Sequence, residues 1–334
     1  MTIRKAALYI LCLSIGFVSC KKNDTPSITV EVRDRGEQQI IDNDSIIGYL
    51  ETHYYNSGTF VAYPGSGLDS LVISELPESG VLPDPDKNTL LKNAVETKTT
   101  TFADTDYEFY ILKLNQGGGD APTFADKIRV NYEGFTLDDV IFDSTANPYD
   151  ADLVGDIISG WRKVFPEFNA AESFVYNGDG TVDYINHGLG VMFLPSGLGY
   201  FSQTKGTISA YSPLIFKFEL LQMEQNDHDG DGVPSYLEDL DGDGEFTFTG
   251  DNTDADNLPD FADNDDDNDG ILTANEIVIT TYNEATKEAV KNISLAANEV
   301  LIKIIEETDG TYTGISVTFT DTDGDGTPDY LDKD

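Results

Sequence analysis

The 334-residue chain has few of the residues that carry covalent or zinc chemistry: two cysteines, three histidines and a single tryptophan. Cys12 lies inside the N-terminal apolar run and Cys20 directly follows it. Neither is expected as a free thiol in the mature chain, which excludes a disulfide framework. His53, His187 and His228 are far apart in sequence with no cysteine to join them, and a zinc site or a nucleophile–histidine–acid arrangement would need more. Positive charge is scarce as well. Against 61 acidic residues there are 20 lysines and arginines, net −41, and none of those bases lies between Lys217 and Lys287. Such a chain repels nucleic acid and anionic lipid and attracts cations. Long hydrophobic runs are also few. The one from residue 6 to residue 18 is too short to remain as a membrane span. What is present is 39% hydrophobic content, enough for a core in a chain long enough for two domains.

The N-terminus reads "MTIRKAALYILCLSIGFVSCKKND": Arg4 and Lys5, an apolar run, small Ser19, then Cys20. This is the pattern of a signal peptide. "FVSC" resembles a bacterial lipobox. The resemblance implies that residues 1–19 leave as a lipoprotein signal peptide and that Cys20 carries lipid, with the protein anchored through it at the bacterial cell envelope, on the outer membrane. Residues 20–100 form an extension. Within it "EQQIIDNDSIIGYLETHYYN" places Ile40, Ile47, Leu50 and Tyr54 at helical spacing, so a short amphipathic helix is expected, and "VLPDPDKN" (81–88) is a loop. From "YEFYILKL" (107–114) to "PLIFKFELLQM" (213–223), alternating apolar residues and frequent turns predict a mostly antiparallel sheet, giving a globular domain over 101–225. Beyond Glu224 the composition turns to Asp, Asn and Gly. Residues 226–334 form an acidic region with one conventional segment, 276–319.

The middle region resembles the FKBP-type peptidyl-prolyl isomerases over about 120 residues, through five motifs in the family's order: "IRVNYEGF" (128–135), "FDST" (142–145), "IISGW" (157–161), "LPSGLGY" (194–200) and "LIFKFELL" (214–221). The resemblance implies an α+β fold, a curved antiparallel sheet around a short helix. It also implies a pocket made by Tyr132, Phe142, Asp143, Ile157, Ile158, Trp161, Tyr200, Ile208 and Phe216. Trp161 would be the floor and Tyr132, Phe142 and Phe216 the walls, while the Ile158 amide and the Tyr200 hydroxyl would donate to substrate carbonyls. The implied partners are proline-containing protein clients, and catalysis needs no cofactor. The sequence departs from the family at Val164 and Phe201, where glycine is usual, at Ile208–Ala210, which replaces an Ile-Pro-Pro turn, and in an insertion at 173–188.

The acidic region repeats a twelve-residue frame with carboxylate or amide oxygens at positions 1, 3, 5 and 12, the EF-hand calcium-loop spacing. "DHDGDGVPSYLE" supplies Asp227, Asp229, Asp231 and Glu238; "NTDADNLPDFAD" supplies Asn252, Asp254, Asp256 and Asp263. "DDDNDGILTANE" supplies Asp265, Asp267, Asp269 and Glu276; "DTDGDGTPDYLD" supplies Asp321, Asp323, Asp325 and Asp332. A further turn, "DLDGDG" (239–244), is incomplete by this template. Proline at position 8 in several loops resembles thrombospondin type 3-like repeats. That resemblance implies a loop-rich tail ordered by several structural Ca2+ ions. Two functions are expected from different classes: an isomerase with a calcium-ordered tail, or a non-catalytic calcium-dependent binding, adhesion or spacer lipoprotein.

Overall fold

In the computed structural model, which describes residues 32–155 and 157–333, the helix expected in the extension is α1 (Arg35–Thr52). Asp34 starts it by accepting from the Glu37 N–H at 2.9 Å, which satisfies one of the donors left open at a helix start. Its buried face differs from the expected one. Ile46, Tyr49 and Leu50 are buried, whereas Ile40 and Ile47 are 65% and 38% exposed, and Tyr54 lies beyond the helix in β1 (His53–Tyr55). The reason is a polar anchor on the buried stripe. Asp42 accepts from the N–H and the hydroxyl of Ser196 at 2.8 and 2.6 Å and from the Gln38 amide at 2.7 Å. After α2 (Ser57–Ala62), strands β2 (Ile73–Glu75) and β3 (Thr89–Leu90) flank β1 in a small sheet. The expected signal peptide and Cys20 lie outside the described residues.

The expected antiparallel sheet follows. Its strands are β4 (Glu96–Phe102), β5 (Thr105–Asn115), β6 (Lys127–Thr136), β7 (Ile141–Ser144) and β8 (Tyr149–Asp152). After α3 (Ser159–Val164) and the hairpin β9 (Ser173–Tyr176) and β10 (Val182–Ile185) come β11 (Gly188–Leu194) and β12 (Leu214–Glu224). The order is β4-β5-β11-β12-β6-β7, with β8 also paired to β6. Side chains alternate between two cores, as the two-residue period of a strand requires. Phe109 and Ile111, Met192 and Leu194, and Phe216, Phe218 and Leu220 meet Trp161 and Val164 of α3. Tyr110 and Leu112, Val191 and Phe193, and Ile215 meet Ile46, Tyr49 and Leu50 of α1. The extension thus covers the second face of the sheet, and β11, buried at every position, has no polar side chain. The insertion is the β9–β10 hairpin, largely exposed.

The acidic region is an irregular chain of turns that ends in a second antiparallel sheet. Strands β13 (Ile277–Glu284), β14 (Glu299–Glu306) and β15 (Tyr312–Phe319) pair in the order β13-β15-β14, with α4 (Lys287–Lys291) between the first two in sequence. Val233 of the first loop, Ile277, Val317 and Tyr330 of the last loop form its small core. Polar contacts hold this region to the main sheet. His228 lies 3.3 Å from Asp152 of β8, and Lys287 and Lys291 pair with Asp120 at 2.6 and 3.0 Å. The described chain is therefore a mixed α/β protein built on antiparallel sheets. Among the described residues no helix is long and apolar enough to cross a membrane.

Candidate functional site

All nine residues singled out for the pocket line one hollow of about 310 Å³. They come from separate elements: Tyr132 from β6, Phe142 and Asp143 from β7, Ile157 and Ile158 before α3, Trp161 from α3, Tyr200 and Ile208 from the β11–β12 connection, and Phe216 from β12. Trp161 and Phe216 are buried and nearly perpendicular, 5.6 Å apart at 88°. Tyr132 meets Trp161 edge-on at 5.2 Å, and Phe142 meets Phe216 at 5.4 Å. These edge-to-face contacts fix the rings at right angles, with an open apolar face between them. Gly134 is needed for this, since a Cβ there would stand 2.6 Å from the Phe142 ring and 2.9 Å from Phe216.

Several polar groups line the hollow. The Tyr132 hydroxyl donates to Asp143 Oδ2 at 2.6 Å. Burial, reinforced by the Asp143 carboxylate, pushes the Tyr132 phenol up, and burial does the same for Tyr200, so both are hydrogen-bond donors at neutral pH. Ile158 is the extended residue just before α3, with φ −72° and ψ 144°, and its N–H is outside the helix ladder. Sequence reasoning missed Tyr149, Lys205, Gly206 and Thr207, which complete the rim. Lys205 and Ile208 exchange two backbone hydrogen bonds, at 3.0 and 2.8 Å, around Gly206 at φ +56°. That tight turn directly precedes Ser209 and Ala210. Phe201, where glycine is usual, takes φ +47°, which costs a side-chain-bearing residue on the order of 1 kcal/mol. It is held by the Arg35 guanidinium 4.2 Å above its ring, by Tyr211 edge-on at 5.3 Å, and by backbone bonds to Ser196 and Tyr211.

The four acidic loops share one internal construction. In each, the position-9 N–H donates to the carbonyl preceding the loop: Ser235 to Asn226, Asp260 to Asp251, Thr273 to Asn264 and Asp329 to Thr320. The side chains of positions 2 and 9 also pair: His228 with Ser235, Thr253 with Asp260, Asp266 with Thr273 and Thr322 with Asp329. Position 4 has positive φ in all four, at Gly230, Ala255, Asn268 and Gly324. The 2–9 pairing is visible in the sequence once the loops are aligned, but the one-three-five template does not look for it.

Carboxylate oxygens converge within 4.8 Å of one another in several groups. Asp254, Asp256 and Asp263 gather, as do Asp265, Asp267 and Asp269, and Asp321, Asp323 and Asp325. In the first loop Asp229, Asp231 and Glu238 are joined by Asp266, which no twelve-residue template includes. Asp251 completes the turn at 239–244 by joining Asp239 and Asp241. Asp227, Glu276 and Asp332 stay outside these groups. Asp227 accepts instead from the Gly230 and Gly232 N–H groups at 2.8 and 3.1 Å. Buried oxygens without a hydrogen-bond partner occur on Asp229, Asp231, Glu238, Asn252, Asp265, Asp266, Asp267 and Glu276. Buried carboxylate oxygens are normally satisfied. An all-oxygen donor set with unused lone pairs suits a hard cation such as Ca2+.

The acidic region also touches the pocket helix. Glu245 pairs with both Arg162 and Lys163 of α3, each at 2.9 Å, and Lys163 donates to the Gly244 carbonyl at 3.2 Å. The two residues that directly follow Trp161 are thereby fixed to Gly244 and Glu245.

Residues 228–300 match a family model described as BamM C-terminal. No curated protein matches the sequence. Among solved structures, the chain is similar to a peptidyl-prolyl cis-trans isomerase from Pseudomonas syringae pv. tomato, at 16% identity over 58% of this chain and 99% of that one, with a TM-score of 0.33. It is also similar to FkpA from Escherichia coli, at 23% identity over 40% of this chain and 55% of that one, with a TM-score of 0.30.

Proposed function

We propose that the chain is an FKBP-type peptidyl-prolyl cis-trans isomerase acting on protein clients in the bacterial envelope, anchored at the outer membrane by lipid on Cys20. The observation that carries this reading is the aromatic hollow itself, in which side chains from separate segments leave one ring-lined space edged by hydroxyl groups. The chemistry asks for little else. Turning an X-Pro bond costs roughly 18–20 kcal/mol because amide resonance is lost, and no bond to a protein group forms. A thousandfold acceleration needs only about 4 kcal/mol of preferential binding of the twisted amide.

In this reading the sheet curves around α3, the proline ring lies on Trp161, and Tyr132, Phe142 and Phe216 exclude water from it. The Ile158 N–H and the Tyr200 hydroxyl hold the carbonyls on either side, while Asp143 orients Tyr132. The twisted amide is less dipolar than the planar one and loses less on leaving water, so a dry pocket favours it. The tail takes several structural Ca2+ ions at the converging carboxylates, and each ion, when bound, supplies the positive charge that the loops lack.

A proline-limited peptide assay with the full chain tests the reading. Accelerated cis-to-trans conversion, reduced by Trp161→Phe and by Tyr200→Phe, is expected. Proline-peptide binding without acceleration would replace it with a binding module. Mass analysis showing an unmodified mature N-terminus other than Cys20 would remove the lipid anchor.

A further inference from the structure

Among the acidic groups, the one formed by Asp229, Asp231, Glu238 and Asp266 differs in being closed and buried. Glu238 is 0% exposed, and neither of its oxygens accepts a hydrogen bond. Asp266, 1% exposed, accepts from the Thr273 hydroxyl at Oδ2, 3.0 Å away, and keeps Oδ1 unpartnered. Asp231 Oδ1 accepts from the Val233 N–H at 2.8 Å and Asp229 Oδ1 from the Asp231 N–H at 3.2 Å, and the Oδ2 of each is unpartnered. Each aspartate therefore spends one oxygen on its own loop and leaves the other buried in the group, while the glutamate leaves both.

Four carboxylates in one buried space cannot all be ionised without a counter-charge, and no lysine or arginine lies between Lys217 and Lys287 to supply it. Burial, with the neighbouring carboxylates, raises the carboxyls of Glu238, Asp266 and Asp229. The exposed group at Asp321, Asp323 and Asp325 contributes no unpartnered buried oxygen. Its carboxylates are exposed, whereas three of the first group's four residues are buried.

We propose that a single Ca2+ ion is held jointly by the first loop, through Asp229, Asp231 and Glu238, and by the third, through Asp266, and clasps two loops about thirty residues apart in sequence. This deepens the reading of the tail as a cation-binding region and rests on it. A glutamate with two free oxygens fits calcium, which accepts bidentate carboxylates and irregular geometry, better than magnesium, which demands an octahedron and retains water. The ion would sit beside the core of Val233 and Ile277, so it would also set where β13 begins. The other groups draw on single loops or on neighbouring turns. The clasp links the ends of the 239–264 segment, beside the His228–Phe261 ring contact and the Val233–Ile277 core.

Calorimetric titration of the full chain with calcium chloride tests the proposal, comparing the parent with Asp266→Asn, Glu238→Gln and Asp325→Asn. The tightest binding step should weaken in Asp266→Asn and in Glu238→Gln, by at least the roughly tenfold that loss of an outer-sphere partner costs, and should be unchanged in Asp325→Asn. Limited proteolysis within 239–264 gives a second readout. Calcium should protect the parent, magnesium at equal concentration should not, and Asp266→Asn should stay cleaved at calcium levels that protect the parent. An unaltered Trp161 fluorescence unfolding curve shows that the variant's main sheet is folded. If Asp266→Asn binds and is protected like the parent while Glu238→Gln is not, the site belongs to one loop and the clasp is wrong. If the parent takes up no calcium at all, the underlying reading of the tail fails with it.

Discussion

Replacing Asp42 by alanine tests whether the extension supports the pocket. Asp42 is buried, and its two oxygens accept three hydrogen bonds, from the Ser196 N–H, the Ser196 hydroxyl and the Gln38 amide. Bonds to a charged group contribute roughly 1.5–3 kcal/mol each, and alanine leaves the Ser196 donors buried without that acceptor. Against this, alanine no longer keeps a carboxylate out of water, which returns a few kcal/mol. The balance is a loss of about 3 kcal/mol, in the range expected for leaving the two buried Ser196 donors unsatisfied. With a urea slope of about 2 kcal/mol/M, the unfolding midpoint should fall by about 1.5 M. Trp161, the sole tryptophan, reports it from the core against which α3 packs. Ser196 begins the turn Ser196–Leu198 that leads to Tyr200, so the variant should also lose isomerase rate under conditions where it is still folded. Ile40→Ala, on the exposed face of the same helix, is the control and should shift stability by no more than about 0.5 kcal/mol. An Asp42→Ala midpoint indistinguishable from that control would refute the anchor.

Three further outcomes follow from the geometry. Trp161→Phe should keep the fold, because a ring still faces Phe165 and Phe216, but lower the peptide isomerisation rate about tenfold by shrinking the pocket floor; an unchanged rate would place the substrate elsewhere. Burial disfavours a charged His187, but the Glu219 carboxylate 3.3 Å away outweighs it and raises the His187 pKa, while Glu219, also buried, is lowered by its His187, Asn131 and Leu68 bonds. The His187 share of stability is therefore complete below its unfolded value near 6.5 and lost as pH rises through its higher folded value, whereas the Glu219 share is lost only as pH falls through its lowered folded value. Melting temperature should decline above about pH 6.5, and His187→Gln should flatten that decline. Glu245→Ala leaves Arg162 and Lys163 of α3 without their 2.9 Å partner. It should destabilise the contact by about 1 kcal/mol and speed proteolytic release of the 239–251 turn, which electrophoresis would show, with little effect on the Trp161 unfolding midpoint.

Much of this protein is local, and local features can be read from the chain. Period-two alternation in β5 and β12 specifies strands because successive side chains must point to opposite faces, and carboxylates at positions 1, 3 and 5 share a turn because the backbone between them is too short to separate them. The motif order around Tyr132, Trp161 and Phe216 likewise named residues that the fold brings to one hollow. What the chain could not decide was which of several equivalent surfaces would be buried. In α1 the adjacent pairs Ile40–Ile41 and Ile46–Ile47 allow more than one apolar face, and the choice fell to Asp42, whose partner Ser196 is 154 residues away. The second covered face of β11 is also set from a distance, by α1. Asp266 reads as filler between positions 1 and 3 of its loop, and Asp251 as the residue before another. They meet Glu238 and Asp239 only because loops distant in sequence pack together around Val233, Ile277 and Tyr330 or fold back through the Leu240 and Thr247 amides. Turn geometry depends on a few neighbouring dihedrals, whereas convergence of charges depends on long-range packing strong enough to hold them together, and only the tertiary structure supplies that.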